Sequence, residues 1–134
     1  MKLNVLILFI FLFFIACDDV SFSPLIGKWQ LKTVEKNGTT TPVDTVWYNF
    51  QSMSLFSLQI YLSKQDSYKE YAGFRTQEEK VLSIGMSCDE EGFTEILTYS
   101  DWHDRHRSFT IVNLSRRRLV LQSEEGYVYS FIKF

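Results

Sequence analysis

The 134-residue chain has only 2 cysteines, 2 prolines and 2 histidines, and beyond residue 16 a single alanine, Ala72. Each shortage excludes something. With one disulfide at most, a disulfide-stapled scaffold is out. Alanine is the strongest helix former, so a chain nearly without it is no helical bundle. The apolar run at residues 1–16 is too short for a comfortable membrane span of ~20 residues, and no later stretch approaches that length. Positive charge is not in excess either: 14 Lys+Arg stand against 16 Asp+Glu, which excludes nucleic acid as the main partner. There is no Gly-rich phosphate loop, no Gly-x-Ser-x-Gly elbow and no paired-carboxylate signature. The sequence therefore points to no enzyme and no cofactor.

What the chain does have begins at its N-terminus. Residues 1–16 hold 14 hydrophobic residues, one cation, Lys2, and no acid, the arrangement of a secretory signal. Phe14-Ile15-Ala16-Cys17 resembles the lipobox of bacterial lipoproteins, which implies that Cys17 is acylated and becomes the mature N-terminus. Removal of residues 1–16 leaves 13 Lys+Arg and 16 Asp+Glu, and Cys88 then has no partner in the chain. Asp18 and Asp19 resemble the surface-export signal of Bacteroidetes lipoproteins. The expected organisation is a lipoprotein signal peptide at 1–16, an acylated tether at 17–25 and a barrel domain at 26–134. The expected address is the bacterial cell envelope, as an outer-membrane lipoprotein held through Cys17, with export to the surface implied by the acidic pair.

Past residue 16 there are 23 Val, Ile and Thr residues and 18 aromatic ones, a composition that favours strands. Period-two alternation of apolar and polar residues predicts eight of them, at 27–33, 46–51, 55–62, 68–75, 81–86, 108–114, 119–122 and 127–134. Short polar connections make consecutive strands antiparallel neighbours. Asn37-Gly38 is a hairpin signal, and the polar run behind it predicts a loop from Asn37 to Asp44. An all-β, eight-stranded up-and-down antiparallel barrel accommodates this pattern; a β-sandwich is the alternative. Residues 89–107 break the rhythm and fit a long loop, a short helix or an additional strand.

Gly27-Lys28-Trp29 resembles the Gly-x-Trp motif on the first strand of lipocalins, and Tyr127 to Phe134 resembles their final strand. The resemblance implies an eight-stranded barrel that Gly27 and Trp29 close at one end, with Lys133 packed over the indole. Together with the lipobox, it is nearest to the small lipocalin-like lipoproteins of Bacteroidetes. The second and third lipocalin signature motifs are not visible.

Alternation also gives an interior face: Trp29, Leu31, Tyr48, Phe50, Phe56, Leu58, Ile60, Phe74, Leu82, Ile84, Phe109, Ile111, Leu119, Leu121, Tyr129 and Phe131. Of these Tyr48, Phe50, Phe56, Leu58, Phe74, Ile84, Phe109, Leu121 and Tyr129 are the candidate contacts for a small apolar or amphipathic ligand, if the barrel holds one. The alternative is an interaction or accessory module that meets another envelope protein through its loops. His103 and His106 are weak metal candidates, without a third ligand at a recognised spacing. The polar stretch around them reads as a solvated, self-compensating patch, and Glu90-Glu91 as turn charge. Arg116-Arg117-Arg118 marks a turn able to meet anionic headgroups or glycans.

Overall fold

A computed structural model of the chain describes residues 23–134. The signal segment, Cys17 and the Asp18-Asp19 pair lie outside them. The strands are β1 (Gly27–Lys36), β2 (Thr39–Pro42), β3 (Val46–Phe50), β4 (Leu55–Leu62), β5 (Ser67–Glu78), β6 (Val81–Met86), β7 (His106–Leu114), β8 (Arg118–Ser123) and β9 (Val128–Lys133), and the helix is α1 (Glu90–Tyr99). Every neighbouring pair is antiparallel, and β1 also pairs with β9, so the sheet closes on itself. The barrel has eight positions, because β2 and β3 share one edge of β1: β3 lies along Gly27–Gln30 and β2 along Thr33–Lys36. The expected barrel is present, and the sandwich is set aside.

The predicted loop from Asn37 to Asp44 is corrected. Asn37 and Gly38 take φ of 51° and 79°, the positive pair that a tight two-residue hairpin requires. β1 therefore continues to Lys36, and Thr39–Pro42 pairs back along it. A bulge between Leu31 and Thr33 shifts the pairing with β9, and past it Val34 takes the inward position.

Residues 89–107 resolve into the helix option. Asp89 caps α1 by accepting a 2.8 Å hydrogen bond from the Gly92 amide, a cap that contributes ~1 kcal/mol. Glu90 and Glu91 lie in the first turn, where carboxylates complement the helix dipole; they are helix charges and not turn charges. Ile96 buries completely against the barrel. Glu95 is hydrogen-bonded by Lys69 at 2.5 Å and by Tyr71 at 3.0 Å, which fastens the helix to β5.

The molecule thus has two ends. The entry end, where β1 begins, also carries the β3–β4, β5–β6 and β7–β8 turns and the C-terminal residue. The helix end carries α1 and the β1–β2, β4–β5 and β8–β9 turns. One continuous core of buried residues, from Leu25 to Phe131, joins them. Leu25, expected in the tether, is fully buried.

Candidate functional site

The entry end is shut by the first-strand residues. Trp29 donates from Nε1 to the Leu25 carbonyl at 2.9 Å. Lys133 Nζ stands 4.5 Å above the indole and donates to the Ile26 carbonyl at 2.7 Å. Burial lowers the Lys133 pKa, and the ring face compensates the ammonium by ~0.5–2 kcal/mol. Gly27 has φ of 133°, and a Cβ there would lie 2.2 Å from Lys133 Nζ. Gly27→Ala is expected to cost ~1–3 kcal/mol, read as a lowered denaturant midpoint.

Above this plug the interior is filled. Of the residues expected to face inward, all except Phe74 are buried. Phe74 is 58% exposed and lies beside Gly85 and His106 on the outer face. Strand register explains the correction. Gly73 is the pairing partner of Phe56 on one side and of Met86 on the other, and cross-strand partners point the same way. Inward positions on β5 therefore fall to Tyr71, Gly73 and Arg75. A Cβ on Gly73 would meet the Gly85 carbonyl oxygen at 2.6 Å, so the wall there has no room for a side chain. Arg75, 2% exposed, donates from Nε to the Ser52 carbonyl at 2.8 Å and packs its guanidinium 5.3 Å from the Phe50 ring centre.

The helix end is stoppered by a residue of the segment expected to be solvated. Trp102 is 1% exposed. Its ring reaches Phe56 at 6.4 Å and Tyr48 at 6.0 Å between centroids, and its Nε1 donates to the Tyr48 hydroxyl at 2.9 Å. Arg107 is buried beside it, with ring centres of Phe109, Tyr129 and Trp102 at 4.8, 5.1 and 5.2 Å. Its Nη2 donates to the Tyr129 hydroxyl at 2.7 Å, and that hydroxyl donates to Asp101 Oδ2 at 2.5 Å. Asp101 also pairs with Arg107 Nη1 at 3.3 Å and with Lys36 at 3.8 Å. Burial pushes the pKa of Tyr129 up, with the Asp101 hydrogen bond adding to it. Burial raises Tyr48 as well. Both phenols stay protonated, and Tyr129 remains a donor.

Sequence reading missed this network, taking Asp101 to Arg107 as a surface patch. The available signal was Trp102 itself, because a large indole amid polar residues seldom stays in water. A recess of about 290 Å³ opens beside the stopper, lined by Leu31, Val34, Val43, Val46 and Asp101 among others.

His103 and His106 both border a polar recess of about 380 Å³ with Glu124 and Glu125, and His103 Nε2 lies 3.4 Å from Glu125. Among the described residues no cluster of three or more His, Cys, Asp or Glu is arranged to hold a metal ion. Cys88 is half-buried against the core. Arg105, which sequence distance concealed, donates to the Cys88 carbonyl at 2.6 Å and covers Phe93.

The sequence and the fold have known relatives. The sequence matches the lipocalin-like domain family over residues 11–134. A solved lipocalin-like protein from Bacteroides uniformis is 31% identical, aligned over 84% of this chain and 100% of its own, with a TM-score of 0.74. An uncharacterized protein from Bacteroides eggerthii shares the fold at 24% identity, over 81% of this chain and 98% of its own, with a TM-score of 0.67. No curated protein matches the chain. The closed barrel, the Gly27–Trp29–Lys133 closure and a family match across nearly the whole length agree: the chain belongs to the lipocalin-like domain family.

Proposed function

We propose that the chain is a non-enzymatic cell-envelope lipoprotein, anchored in the outer membrane through an acylated Cys17, whose barrel is an interaction module rather than a carrier. The observation that carries this reading is the filled interior. Trp102 occupies the helix-end mouth and bonds Tyr48, while Tyr48 packs against Phe56, Phe109 and Phe131. A barrel of this strand number either fills itself or encloses one small ligand, and these side chains take the space. The helix end offers a surface for a protein partner, with Glu90, Glu91 and Leu97 of α1 turned to the outside. The Asp18-Asp19 pair supports display on the outer leaflet.

A second reading rests on the recess beside Trp102. Its walls combine core apolar side chains with the Asp101 carboxylate, the mixed chemistry that suits a small amphipathic ligand. Native mass spectrometry of the protein isolated from its own membranes separates the two. The first reading expects a chain that begins at a diacylated or triacylated Cys17 and carries no further small molecule. A stoichiometric apolar adduct overturns the interaction-module reading in favour of the second, and an unmodified Cys17 removes the anchor.

A further inference from the structure

Charge is sorted between the two ends of the barrel. Asp89, Glu90, Glu91, Asp104, Glu124 and Glu125 all lie at the helix end. At the entry end the acidic side chains are Glu78 and Glu79, which share their turn with Lys80. The adjoining β7–β8 turn carries Arg116, Arg117 and Arg118, all exposed, and among the described residues none of the three pairs with a carboxylate.

Apolar surface accompanies these cations. A groove of about 850 Å³ runs between Arg116 and Arg117 on one side and Pro24, Ile26, Leu114 and Ile132 on the other. Ile132 is 44% exposed and Phe134 70% exposed, with the Lys28 ammonium 4.9 Å from the Phe134 ring centre. Guanidinium groups beside exposed aliphatic and aromatic side chains match the boundary between lipid headgroups and acyl chains. The described residues also begin at this end, at Ser23, next to Pro24 of the groove.

We propose that the entry end is a docking face for anionic lipid headgroups, with Arg116 and Arg117 contacting phosphate and Ile26, Ile132 and Phe134 entering the headgroup layer. The barrel then stands on the membrane with its acidic helix end turned away. This deepens the envelope reading by adding a surface contact to the acyl anchor, and it holds for a chain that bears no lipid.

That independence supplies the test. Residues 23–134 hold every strand of the closed barrel and its continuous core, and they serve as the probe. The probe is sedimented with phosphatidylcholine vesicles with and without phosphatidylglycerol. Binding to the anionic vesicles only is expected, weakening as salt rises. Replacing both Arg116→Gln and Arg117→Gln should reduce partitioning by about tenfold or more, since each cation near such a surface contributes several-fold. Replacing Lys36→Gln and Lys64→Gln at the helix end should leave it unchanged, and circular dichroism verifies that each variant is folded. Equal binding to both vesicle types, or equal loss from the two pairs of substitutions, overturns the docking face. Since the probe lacks Cys17, failure here leaves the acyl anchor standing, and loss of the anchor leaves this result standing.

Discussion

Replacing Trp102 with alanine is expected to lower the unfolding free energy by ~3–5 kcal/mol, the range for truncating a buried aromatic residue. Two terms combine: the indole's contacts with Tyr48 and Phe56 vanish, and a cavity opens where the helix end is stoppered. Denaturant titration should show a lower midpoint with a nearly unchanged slope. Trp102→Phe separates the terms. It restores most of the volume but removes the Nε1 donor to Tyr48, at ~1–3 kcal/mol for a buried hydroxyl that loses its partner. The alanine variant should also acquire a cavity walled by aromatic rings, the Tyr48 hydroxyl and the Arg107 guanidinium, a mixed lining that suits small amphipathic aromatic molecules, seen as a rise in its melting temperature with such a molecule present. A loss below ~1 kcal/mol for Trp102→Ala would mean that the indole does not pack the mouth.

Removing the neighbouring cation should be nearly as costly. Arg107→Met keeps an apolar stem among Trp102, Phe109 and Tyr129 but leaves Asp101 without its buried partner. Breaking a buried pair from one side costs ~3–5 kcal/mol. The lower end applies, because Asp101 is 26% exposed and keeps Lys36 at 3.8 Å. Lys36→Ala, which removes only the exposed member, should fall within ~0–1 kcal/mol. The same network predicts an alkaline limit. Burial raises the pKa of Tyr48 and Tyr129 in the folded state, so the folded chain holds these protons more tightly than the unfolded one. That stability is complete below the ordinary tyrosine pKa of ~10 and is lost as pH rises above it. Tyr71 joins them, its pKa raised by burial and by its hydrogen bond to Glu95, so tyrosinate absorbance should report three phenols that ionise only as the barrel unfolds.

Much of this barrel was legible because alternation and turn chemistry act locally. Trp29 and Leu31, or Leu82 and Ile84, declare their inward face within a few residues, and Gly27-x-Trp29 with Lys133 named the closure directly. Phe74 failed because Tyr71 and Phe74 have opposite parity on β5, so both faces of the strand offer an aromatic. The choice is made by Phe56 and Met86, partners on other strands that period-two reading does not see. Glu90 to Tyr99 was obscured by Gly92, Thr94 and Thr98, poor helix formers whose segment folds because Ile96 finds the barrel. Asp101 and Arg107 looked like ordinary surface charge, since their burial depends on Tyr129, a residue of the last strand.

The pairing of β1 with β9 sets the order in which this molecule can become itself. Lys133 reaches the Ile26 carbonyl across 107 residues of chain, and Trp29 pairs directly opposite Lys133. Until the final strand is free to move, β1 and β8 each present an unpaired edge, and the indole of Trp29 lacks its ammonium cover. Contacts of such long range form late and slowly. A chain threaded through a narrow passage from its N-terminus would thus stay unfolded until its last residues are released. The seam from Trp29 to Glu35 then closes the cylinder in one step.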